Sequence, residues 1–85
     1  MIWDKVLLHI EVPIANMGYD MYVPRSISVF HLQQALSQVF YELSNGMFRP
    51  CESTILWDPQ KGMPLPSELP IEKTGLNSGD TLLVI

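Results

Sequence analysis

Eighty-five residues make a single domain, because chains divide into several domains only well above this length. Apolar residues are 47% of the chain and charged residues 16%, a balance that argues against intrinsic disorder. Nine acids against five scattered bases give a net charge of −4, which argues against nucleic-acid binding through clustered Lys and Arg.

The lone cysteine, Cys51, leaves no disulfide framework, which fits a reducing compartment. No apolar run approaches the ~18 residues that a membrane helix needs. The opening Met1-Ile-Trp-Asp-Lys-Val carries an acid where a signal peptide carries positive charge, so the expected location is the cytoplasm. No repeat, low-complexity tract or linker divides the chain, and the expectation is one domain over 1–85.

The first element is a strand over 3–12. Val6, Leu8, Ile10 and Val12 alternate with Lys5, Leu7, His9 and Glu11, which is the period of two. Leu7 is the exception, a leucine on the polar side. Pro13, Asn16 and Gly18 then mark a turn. A second strand follows over 19–23, so the two form an antiparallel hairpin, and Pro24 ends the ladder for want of an N–H. Residues 29–43 predict a helix. Val29, Leu32, Leu36, Val39 and Leu43 recur at steps of three or four, with Gln33, Gln34, Ser37, Gln38 and Glu42 opposite. Ser28 is its predicted N-cap, and Asn45-Gly46 its end. A third strand is predicted over 53–58, with Ile55 and Trp57 on one side and Leu56 on the other. A turn follows over 58–62, then a very short strand over 63–65, with Pro64, Pro66 and Pro70 limiting its length. One helical turn over 71–76, a turn over 77–80 and a last strand over 81–85 complete the chain.

One amphipathic helix covers one face of a mixed sheet of four or five strands, with the last strand placed centrally beside the first. This is the α+β arrangement known as the β-grasp. The helix leaves the other sheet face without a cover. Leu7, His9, Leu56, Leu83 and Ile85 are the residues assigned to that face, and apolar side chains gathered there mark an interaction surface.

The chemistry-bearing residues fall into no catalytic pattern. His9 and His31 have neither an HExxH nor a Cys-x-x-Cys companion, so no metal site is expected and both read as surface histidines. Cys51 is expected to be an ordinary loop thiol, the rival being a nucleophile with a histidine close in space. No Gly-x-Ser-x-Gly elbow and no phosphate-cradling glycine loop is present. Asp80 reads as a turn residue bonding its own backbone. Trp3, Tyr22 and Trp57 read as core or rim aromatics, with recognition aromatics as the rival. The expectation is a protein that is not an enzyme and needs no cofactor.

The second half resembles the ubiquitin-like proteins. Ile55-Leu-Trp-Asp-Pro-Gln-Lys-Gly-Met-Pro-Leu65 is similar to their strand, turn and short strand. Ile71-Glu-Lys-Thr-Gly-Leu-Asn-Ser-Gly-Asp-Thr-Leu82 is similar to the turn, loop and closing strand that follow. Within that superfamily the Gly-Leu-x-x-Gly-Asp-x-Leu ending resembles the YukD-like proteins of bacterial type VII (WXG100) secretion systems. The resemblance implies an interaction module that docks another protein through its sheet face, where Leu56 and Ile85 fall on positions of the ubiquitin patch. It implies an accessory role in a secretion apparatus, with self-association as the alternative use of the face. A β-grasp regulatory or effector subunit of an enzyme complex is the alternative function. Conjugated and sulfur-carrying relatives end in Gly-Gly, whereas this sequence reads Val84-Ile85, so neither conjugation nor sulfur transfer is expected.

Overall fold

The computed structural model describes residues 4–49 and 54–85. Trp3, Cys51 and Ser53, to which the sequence reading assigns places, lie outside the described residues. Five strands appear in chain order: β1 (Lys5–Val12), β2 (Met17–Pro24), β3 (Leu56–Asp58), β4 (Met63–Pro64) and β5 (Thr81–Val84), with one helix, α1 (Val29–Leu43), between β2 and β3. They form one sheet in the order β2-β1-β5-β3-β4. The β1–β2, β3–β5 and β3–β4 pairs are antiparallel and β1–β5 is parallel, so the sheet is mixed and β5 lies at its centre.

Local chemistry sets the joints. Pro13–Ala15 forms a 3-10 turn, and Asn16 takes the left-handed conformation (φ 52°) that turns the chain into β2. β2 is longer than predicted because Met17 pairs with Val12 across the tight turn. Ser28 caps α1, its side chain accepting a hydrogen bond from the His31 N–H at 3.1 Å. Ile71–Lys73 is a single 3-10 turn, and Gly75 follows at φ 84°, a conformation that side chains resist. Gly75 also makes room for Lys61, whose ammonium donates to the Thr74 carbonyl at 2.9 Å. Asp80 behaves as its turn reading predicts, accepting from the Asn77 N–H at 2.9 Å. Ile85 stays in the sheet beyond the end of β5, exchanging backbone hydrogen bonds of 2.8 and 3.1 Å with Ile55.

The core gathers Val6, Leu8, Ile10 and Val12 of β1, Leu82 and Val84 of β5, and Val29, Leu32, Leu36 and Phe40 of α1. The helix therefore covers only the side of the sheet to which the even-numbered residues of β1 point. The predicted helix stripe needs one correction. Val39 and Leu43 are 41% and 50% exposed, whereas Phe40 is fully buried. Phe40 lies one turn beyond Leu36 and continues the Val29–Leu32–Leu36 row, while Val39 is rotated ~100° from Phe40. Phe48, from the loop after the helix, supplies a further core side chain. The Phe40 ring meets Tyr19 of β2 at 5.9 Å between centroids.

A second correction concerns the sheet. Leu56 was assigned to the outward face but is 1% exposed and lies in the core. Its register partner is Val84, another core residue, so pairing fixes it inward and puts Trp57, opposite Leu83, outward. Leu56 is thus no docking residue. Among the described residues no helix is long and apolar enough to cross a membrane.

Candidate functional site: the outward sheet face

The pleat sends Leu7, His9 and Glu11 of β1 away from the helix, together with Asp20 and Tyr22 of β2, Thr81 and Leu83 of β5, and Trp57 of β3. Ile85 continues the alternation outward and is 48% exposed, with Ile55 as its backbone partner. Four of the five predicted face residues, Leu7, His9, Leu83 and Ile85, therefore point to the uncovered side. Trp57 and Ile55 take the place given to Leu56.

These residues do not form one continuous apolar patch. Leu7 pairs with Tyr22 across the hairpin. Leu83 lies between Glu11 and Trp57 on the neighbouring strands, and Ile85 and Ile55 extend this second block. Between the two blocks runs a polar row, Asp20–His9–Thr81. The face thus presents two apolar blocks divided by a polar band, not the single gathered apolar surface expected.

His9 is the centre of that band. Its Nδ1 lies 2.8 Å from Asp20 Oδ1 and its Nε2 3.0 Å from Glu11 Oε1. Both ring nitrogens donate when the ring is charged, so the two carboxylates favour the imidazolium. The bond to Asp20 is the larger cause, and with Glu11 it raises the His9 pKa above the usual 6.5. His31 sits elsewhere, in the first turn of α1, with its Nδ1 2.8 Å from Ser28 Oγ. The two histidines are therefore held by separate local networks. Among the described residues no group of three or more His, Cys, Asp or Glu is arranged to hold a metal ion.

Sequence reading placed His9 on this face but missed its clasp, because Asp20 becomes its neighbour only through the β1–β2 register. It missed Trp57 as a face residue for a related reason. Ile55-Leu-Trp57 is apolar throughout, so a period of two selects no side. Pairing with β5 was the missing signal.

No protein-family model matches the chain, and no curated protein matches it by sequence. Solved structures do match. The EccD5 ubiquitin-like domain from Mycobacterium xenopi is 16% identical with a TM-score of 0.75, over 95% of this chain and 92% of that one. The ubiquitin-like domain of the Mycobacterium tuberculosis type VII secretion system protein EccD1 is 13% identical with a TM-score of 0.74, over 95% and 97%. A chain of the toluene 4-monooxygenase HD complex with the inhibitor 4-bromobenzoate is 17% identical with a TM-score of 0.72, over 94% and 95%. Similarity at this level of identity speaks for backbone arrangement alone. The helix on one side of a five-stranded mixed sheet, the central parallel β1–β5 pair and these alignments over nearly the whole chain together establish that this protein has the ubiquitin-like β-grasp fold.

Proposed function

We propose that the chain is a non-enzymatic docking module that binds another protein through the outward sheet face, as an accessory component of a bacterial type VII-like secretion apparatus on its cytoplasmic side. The observation that carries the docking reading is the placement of Leu83, Trp57, Ile55 and Ile85 on the side of the sheet opposite α1. Burial of such side chains supplies ~25 cal/mol per Å² of apolar area, offset by the entropy of association. The secretion reading is supported by the likeness to two EccD ubiquitin-like domains and by the YukD-like ending of the sequence. Lack of conjugation is part of the same proposal.

A second reading, an effector subunit of an oxygenase-type enzyme complex, is favoured by the likeness to the toluene 4-monooxygenase chain. Capture from native lysate tests both. Tagged wild type is expected to retain a secretion component, and Leu83→Asp is expected to lose it while keeping its circular dichroism spectrum. Oxygenase subunits retained instead would move the conclusion to the second reading. Equal capture by wild type and Leu83→Asp would refute docking through this face.

A further inference from the structure

The negative charge that β1 and β2 put on the outward face lies in its middle. Glu11 and Asp20 hold His9 between them at 3.0 and 2.8 Å, and each spends one oxygen on the ring. The second oxygen of each carboxylate remains to accept from another donor. Apolar residues lie to both sides, Leu7 and Tyr22 in one direction and Leu83 and Trp57 in the other. Among the described residues, the cation of β1 on this face is Lys5, opposite Pro24 and six residues from Glu11, or ~20 Å along the strand. Asp80, at the entry to β5, bonds the Asn77 N–H and adds negative charge. β5 places Thr81 and Leu83 on the face, and β3 places Trp57, so neither adds charge there; Asp58 of β3 is buried on the core side.

We propose that the occupant of this face is an apolar segment of a different protein with a Lys or Arg at its centre, seated on Glu11 and Asp20, its flanking aliphatic side chains resting on the two apolar blocks. The proposal rests on the docking reading above and adds the chemistry of the partner. Charge complementarity selects the occupant. A second copy of the chain brings the same acids against Glu11 and Asp20 and carries the same net charge of −4, so self-docking is opposed. His9 modulates the attraction. The His9–Glu11–Asp20 group carries one net negative charge when the imidazole is protonated and two when it is neutral. A cationic segment is therefore held more tightly at pH 8 than at pH 6.

Selection from a displayed library of random 12-residue peptides tests this, with Leu83→Asp as the counter-selection target that removes peptides binding elsewhere. The expected binders are apolar with a central Lys or Arg. They weaken about fivefold on Glu11→Gln/Asp20→Asn, the effect of two exposed charge pairs, and tighten on His9→Gln at pH 6. Binders that require Leu83 but are acidic or uncharged would overturn the charge assignment and leave the docking reading intact. If no binder distinguishes wild type from Leu83→Asp, both fall together.

Discussion

Leu56 and Leu83 belong to adjacent antiparallel strands and point to opposite faces of the sheet, so the same truncation at each measures which side is core. Leu56 is 1% exposed and sits in the core cluster with Val84 and Phe40. Leu56→Ala removes buried carbons and leaves a cavity that close-packed neighbours fill only in part, a loss of about 2–5 kcal/mol. A small domain is stable by about 5–15 kcal/mol, so this is a large share of the total. For a domain of this size it lowers the melting temperature by at least about 10 °C. Leu83 is half-buried between Glu11 and Trp57 with nothing stacked over it from the helix side. Leu83→Ala costs about 1 kcal/mol or less. Urea unfolding followed by circular dichroism reads both values, and an unchanged m-value confirms that the same surface unfolds. Equal losses at the two positions, or a Leu56→Ala loss below about 1 kcal/mol, would refute the face assignment and the docking surface with it.

Two further outcomes follow from side-chain contacts. The buried Asp58 carboxylate accepts from the backbone N–H groups of Gln60 at 3.0 Å and Lys61 at 3.4 Å. Asp58→Ala strands those donors and is expected to cost about 1–3 kcal/mol in urea unfolding, while Asp58→Asn keeps an acceptor and recovers part of it; indistinguishable variants would mean the turn holds without that carboxylate. The His9 pKa is raised first by its bond to Asp20 and then by that to Glu11. A pKa higher in the folded than in the unfolded state means that the contribution is fully present below the unfolded value and fades as pH climbs through the folded one. An NMR titration of the His9 ring is therefore expected to have its midpoint above 6.5 in wild type and a lower one in Asp20→Asn; an unmoved midpoint would show that Asp20 does not hold the ring.

What the sequence disclosed depended on how one-sided each element is. The helix bounds at 29 and 43 matched, because Ser28 offers an N-cap and the apolar spacing persists for four turns. The alternation of β1 was equally clear, since four even-numbered residues are fully buried while Lys5, His9 and Glu11 keep the other side polar. Phe48 and Thr54 gave no signal, because both are buried from loops and no period runs through them. Leu56 failed for a different reason, and the reason bears on function. Alternation identifies a strand's inner side only when its outer side is polar. At β3 the outer residues are Trp57 and, just before the strand, Ile55, and at β5 Thr81 is followed outward by Leu83 and, just past the strand, Ile85, so the contrast is lost on β3 and weak on β5. The apolar side chains on which the proposed docking rests are the ones that erase the pattern. The misplacement of Leu56 therefore marks the strand pair whose inner and outer faces are both apolar, where pairing with β5 and not alternation decides which side is core.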